Sequence, residues 1–126
     1  MTKKIMNTEK APYPMGPYSQ GILANGFLFI SGQLPIDPAT GILITGNIQA
    51  ETEQVMNNMK EILFAADMIM SNVIKCTLFL KDMNQFSLIN GVYTTYFPEF
   101  GPARETVEVA RLPRDASIQV SAIAMK

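Results

Sequence analysis

The apolar residues of this chain change their period as the sequence runs, and the order of the changes constrains the fold more than any other feature. From Gly21 to Ser31, two short apolar runs (Ile22-Leu23-Ala24 and Phe27 to Ile30) flank Asn25-Gly26. That dipeptide supplies the left-handed conformations of a two-residue hairpin turn. Gln33 to Gly41, with Pro35, Asp37, Pro38 and Gly41, reads as a turn-rich loop. The period then becomes helical. Ile48, Val55, Met56, Met59, Ile62, Leu63 and Ala66 fall on one stripe, with Glu51, Gln54, Asn58 and Glu61 expected outside and Asn47 as the N-cap. Val73 to Leu80 is a β-branched and apolar run suited to a buried strand. Asp82, with Gln85 three residues on, predicts the cap of a second helix whose stripe is Phe86, Ile89, Tyr93 and Phe97, stopped at Pro98 to Pro102. Two strands close the chain, Arg104 to Ala110 and Ser117 to Met125, joined by a turn at Arg111 to Asp115. The order β-β-α-β-α-β-β predicts an α+β domain over residues 1–126: one mixed sheet with both helices on one face.

Two helices cover only one face of such a sheet, so the other must be wet or buried against a partner. The last strands alternate Arg104, Thr106 and Glu108 with Val107 and Val109, and Ser117, Gln119 and Ser121 with Ile118, Val120 and Ala122. We expect the polar members to share a solvated or ligand-binding face. Asn90 follows Ile89 on the apolar stripe of the second helix, where a buried amide needs a hydrogen-bond partner; a loop carbonyl would serve.

Composition narrows the chemistry. There is no histidine, so Ser-His-Asp and Cys-His catalysis and imidazole metal sites are excluded. A lone cysteine, Cys76, allows neither an intramolecular disulfide nor a thiolate zinc site. No glycine pattern of the phosphate-cradling kind occurs, and no acidic cluster suggests magnesium or calcium. No cofactor or metal is therefore expected. A net charge of −1 gives no field that would gather nucleic acid or anionic lipid. Residues 1–10 are polar and lysine-bearing, without the apolar core of a signal peptide, and no apolar run approaches the roughly 20 residues that cross a bilayer. A cytoplasmic protein is expected. Its chemistry must rest on carboxylates, arginine, tyrosine, hydroxyls, amides and backbone groups.

Three blocks carry a resemblance. They are Gly16-Pro17-Tyr18-Ser19-Gln20-Gly21, then Ser31-Gly32-Gln33-Leu34-Pro35-Ile36-Asp37-Pro38, and Pro102-Ala103-Arg104 running into Val107-Glu108-Val109-Ala110-Arg111-Leu112-Pro113. Thr52-Glu53-Gln54 and Asp82-Met83-Asn84 fit in order between them. The chain resembles the RidA/YjgF family along nearly its whole length. The resemblance implies a chorismate-mutase-like fold, a homotrimer with ligand clefts between subunits, and hydrolytic deamination of reactive 2-imino acids (2-iminobutanoate, 2-iminopropanoate) to 2-oxo acids and ammonia. On that pattern Arg104 would grip the substrate carboxylate and Tyr18 would donate to or orient the imine. Backbone groups at Ser31 and Thr106 would complete the contacts, and Asn90 would border the cleft. Two positions depart from the family. Thr106 stands where cysteine is common, and Gln119 replaces the glutamate taken to position or activate water. Glutamine accepts a hydrogen bond from water but cannot take its proton. A non-catalytic member that binds 2-oxo or amino acids is the alternative. An endoribonuclease or translation inhibitor is a weaker one, since the chain is slightly acidic, its arginine group (Arg104, Arg111 and Arg114) is small and no histidine is present.

Overall fold

The Asn25-Gly26 turn forms as its sequence dictates. Asn25 (φ 53°) and Gly26 (φ 82°) both take the left-handed conformation. The turn joins β2 (Gly21–Ala24) to β3 (Phe27–Gln33) in antiparallel register, with Ala24 opposite Phe27. The structure is a computed structural model and describes residues 2–126. The remaining elements are β1 (Lys3–Met6), α1 (Ile48–Ala65), β4 (Val73–Leu80), α2 (Phe86–Thr95), β5 (Ala103–Glu108) and β6 (Ile118–Met125). The six strands form one sheet in the order β1-β2-β3-β6-β4-β5. Only β4 and β5 pair in parallel, through the crossover that contains α2.

Both helices lie on one side, with α1 packed against β3, β6 and α2. Asn47 caps α1 as expected, its side chain accepting from the Gln49 and Ala50 N–H groups at 3.1 Å. The predicted stripe of α1 is buried on Leu28, Val120 and Ala124, with Val55, Met56, Met59, Ile62 and Leu63 fully excluded from water. Each such side chain contributes roughly 1.5–3 kcal/mol. The opposite face carries Phe29, Thr77, Phe79, Gln119, Ser121 and Val107, together with a Lys75–Glu105 ion pair at 2.8 Å. Phe29 and Val107 stay 47% and 41% exposed.

Five expectations need correction. The first residues, read as a polar segment, contain β1, which pairs with β2 from Lys3 opposite Ala24 to Met6 opposite Gly21. Glu51 and Asn58, expected outside on α1, are buried. The loop after β3 covers that flank, and Asn58 donates to the Leu34 and Ile36 carbonyls at 3.2 and 2.9 Å. Asp82 caps a single 3-10 turn (Met83–Gln85), accepting from the Asn84 N–H, and α2 starts only at Phe86. β5 ends at Glu108, two residues before the expected end. The fifth concerns the sheet faces. Arg104, Thr106 and Glu108 register with Cys76, Leu78 and Leu80, so they point to the helix side. Gln119 registers with Phe79 and points to the uncovered side. The polar residues of β5 and β6 therefore do not share a face.

Candidate functional site

Arg104 lies on β5, the last strand of the sheet, level with Cys76 and Ala122. Its side chain runs towards α2, where Phe86, Asn90 and Tyr93 follow one another at helical spacing on one stripe. The guanidinium carbon sits 5.3 Å from the centre of the Phe86 ring and 4.9 Å from that of Tyr93. Arg104 Nη1 donates to Asn90 Oδ1 at 2.7 Å. Asn90, expected to bond a loop carbonyl, is half-buried, and its amide oxygen is met by a cation. No carboxylate pairs with Arg104 among the described residues. Glu105 is held by Lys75 on the other face, and Glu108 accepts from the Met83 N–H at 2.8 Å.

The surroundings keep that charge unanswered. Burial pushes the Cys76 thiol up to about 11, and burial, followed by the neighbouring thiol, pushes the Tyr93 hydroxyl up as well. Both stay protonated at neutral pH, so neither competes with an incoming anion for Arg104. The Tyr93 hydroxyl is buried without a hydrogen-bond partner among the described residues. The backbone beside Arg104 is open too. The Val109 N–H reaches the Leu80 carbonyl at 2.8 Å. Backbone groups alternate along a strand, so those of Arg104, Thr106 and Glu108 face the free edge of β5.

The other sequence-predicted residues gather elsewhere. Ile30 pairs with Ala122 and Gln33 with Val120, so Ser31 and Gly32 together oppose Ser121 in a β-bulge. Gln119 lies over this bulge. A Cβ built at Gly32 would stand 2.7 Å from the Gln119 Cδ, so any larger residue there would have to push the Gln119 amide aside. Ser31 anchors the preceding loop, its N–H donating to the Gln20 carbonyl at 2.9 Å and its hydroxyl to the Ser19 carbonyl. Of the Ser31 backbone groups expected to contribute ligand contacts, the N–H is engaged within the chain. Gln20 is buried and pins the loop further, donating to the Thr8, Ala11 and Pro12 carbonyls. Tyr18 projects from this loop, 54% exposed, its hydroxyl only accepting, from the Met15 N–H at 3.4 Å. Its O–H remains free to donate.

The predicted residues thus fall into two groups: Asn90, Arg104 and Thr106 at the β5 edge, and Tyr18, Ser31 and Gln119 around the bulge. Three strand spacings separate β5 from β3, roughly 14 Å.

A family model described as Endoribonuclease L-PSP matches residues 8–126. A RutC family protein of Pyrococcus horikoshii is 54% identical over 124 residues, covering 98% of each chain. A 2-iminobutanoate/2-iminopropanoate deaminase of Bos taurus is 44% identical over 126 residues, covering all of this chain and 92% of that one. The solved structure of E. coli TdcF with bound serine superposes with a TM-score of 0.94 at 38% identity, over 98% of both chains. The chain belongs to the RidA/YjgF family. Its single six-stranded sheet with two helices on one side is the RidA/YjgF fold.

In this RidA/YjgF chain three contributors escaped the sequence reading. Phe86 and Tyr93 were assigned to the hydrophobic stripe of α2; their extra role under Arg104 depends on a strand that pairs only after the crossover. Gly32 lies within the Ser31–Pro38 block, but only the bulge reveals that its missing side chain makes room for Gln119.

Proposed function

We propose that the protein hydrolyses reactive 2-imino acids to 2-oxo acids and ammonia, with each site completed by a second copy of the chain. The observation that carries this reading is Arg104, a cation with no acidic partner, two aromatic rings beneath it and open backbone groups alongside. An arginine so placed fits a small carboxylate, which its planar fork can bind through two parallel hydrogen bonds. The 44% identity to a 2-iminobutanoate/2-iminopropanoate deaminase supports the substrate class.

The chemistry assigns a task to each group. Arg104 and the β5 edge at Thr106 fix the carboxylate. A protonated imine carbon is strongly electrophilic, and the Tyr18 O–H is placed to orient the nitrogen. Gln119 orients a water molecule for attack at that carbon through its amide. Water adds and the nitrogen takes up the proton released; the resulting carbinolamine then loses its hydroxyl proton to solvent as the C–N bond breaks, which expels ammonia and leaves the 2-oxo acid. The carboxylate and imine carbons are directly bonded, so both residue groups must reach one small molecule. Within one chain they are on opposite faces and strands apart; a neighbouring copy that presents its β5 edge to the Gln119 face would unite them. A homotrimer is the assembly we propose. Sedimentation equilibrium should then give about three times the 13.9 kDa chain mass, and a monomer at micromolar concentration would defeat the shared site.

Gln119 supports a second reading, a protein that binds 2-oxo or amino acids without turning them over, since an amide cannot accept the proton of water. The serine bound to E. coli TdcF, a structural relative, is a ligand of that kind. An RNA-cleaving role has less support. Arg111 is paired with Asp115 at 2.7 Å and Arg114 donates to the Gly41 carbonyl, so the three arginines do not line up as a groove of free cations along a phosphate backbone. A coupled assay decides between catalyst and binder: an amino-acid oxidase generates the imine, and faster 2-oxo acid release with this protein than without supports hydrolysis. Bound 2-oxobutanoate with no acceleration would leave the binding module.

A further inference from the structure

The Arg104 side chain is exposed and long, yet it is held at one end by an amide and from beneath by two rings. An unrestrained arginine on an edge strand would lose much rotamer freedom on binding a ligand, and that loss would weaken binding. Here the three holding groups come from one stripe of α2 and fix different degrees of freedom. Asn90 takes a hydrogen of Nη1, which sets the rotation of the fork. Phe86 and Tyr93 flank its plane, and their π faces favour the cation. The Nε and Nη2 hydrogens have no partner among the described residues. The Tyr93 hydroxyl has the Cys76 thiol as its polar neighbour and makes no hydrogen bond to Arg104, so Tyr93 acts on Arg104 through its ring.

We infer that Phe86 and Tyr93 are positioning residues that hold the Arg104 guanidinium with its Nε–Nη2 edge open for a carboxylate. The inference rests on the proposed 2-imino acid site and adds how that site sets its affinity. The rings touch no reacting atom. They act by presenting the fork already aligned, so their loss should raise Kd and KM and leave kcat nearly unchanged.

The test uses the full chain and 2-oxobutanoate as probe, with binding followed by titration calorimetry. Phe86→Leu and Tyr93→Leu should each weaken binding roughly threefold or more, and together roughly tenfold. Tyr93→Phe keeps the ring and should bind within about twofold of the native protein. It also deletes a buried hydroxyl without a partner, so its Tm should not fall. An independent readout needs no ligand. With three arginines in the chain, the Arg104 Nε–H nuclear magnetic resonance signal is assigned by its loss in Arg104→Lys. It should be displaced by the rings in the native protein and in Tyr93→Phe, and should move towards the Arg114 signal in Phe86→Leu. Phe86 is only half-buried, so Phe86→Leu remains a decisive variant if Tyr93→Leu fails to fold. Native binding with equal binding by the leucine variants, or an Arg104 signal they leave unmoved, overturns the positioning role alone. A native protein that binds no 2-oxo acid overturns both this role and the site it serves.

Discussion

The two halves of the candidate site are built by different means. The Arg104 half is made from regular elements: a strand supplies the cation, and a helix stripe supplies the amide and two rings that steady it. The bulge half is made from irregular ones. A loop is pinned by Gln20, the chain doubles at Ser31 and Gly32, and Gln119 lies where a side chain on Gly32 would be. One half offers a permanent charge with no acidic partner among the described residues; the other offers neutral donors and acceptors. The contrast teaches that affinity for an anion and treatment of its reacting carbon are separable here, and substitutions should separate them.

Gln119→Glu should produce the largest change. It adds a general base with almost no change of shape, and imine hydrolysis should rise by about 10²-fold. An unchanged and already high rate would mean that water placement suffices. Arg104→Lys removes the planar fork and should weaken 2-oxobutanoate binding by roughly tenfold, with little change in Tm because Arg104 is exposed. Equal binding by both proteins would reduce Arg104 to a surface residue. Gly32→Ala pushes the flexible end of Gln119 aside and leaves the Arg104 half untouched. Turnover should fall several-fold, roughly 1 kcal/mol of transition-state stabilisation, while 2-oxobutanoate binding persists. A parallel loss of binding would show that the halves are not separable.

The smallest effect concerns stability and lies outside both halves. Burial on α1 raises the Glu51 carboxyl above its ordinary 4.5, against the opposing Ser117 side chain and Asn47 backbone. An acid whose folded value is raised favours folding when protonated and loses that contribution as pH rises through the folded value. Glu51→Gln should therefore raise Tm at pH 7, with the gain fading as pH falls through the raised folded value and gone below about pH 4.5. Melting curves across that range check it, and a pH-independent difference would contradict it.

Much of the scaffold was legible because period and turn chemistry agree locally. Asn25-Gly26 marks its own hairpin, and Ile48 to Ala66 marks its own helix. β1 was not legible, since Lys3-Lys4-Ile5-Met6 carries the lysines of an edge strand and too little apolar alternation to declare itself. Glu51 and Asn58 looked like surface residues because what covers them comes from distant segments, the 34–36 loop and Ser117. Arg104 and Gln119 were assigned to one face for a related reason. Alternation fixes the two faces of each strand, but only register relates one strand to the next, and it sets Arg104 level with Cys76 and Gln119 level with Phe79.

Complementation between copies tests the shared site most directly. Arg104→Ala disables one half and Gln119→Leu the other, and each alone should hydrolyse imine slowly. Co-expressed in equal amounts and assembled at random, they should recover up to about a quarter of the native rate, the chance that two intact halves meet in a cyclic oligomer. If one chain held the whole site, no chain in the mixture would be intact. A rate no higher than the mean of the two variants would then contradict the account.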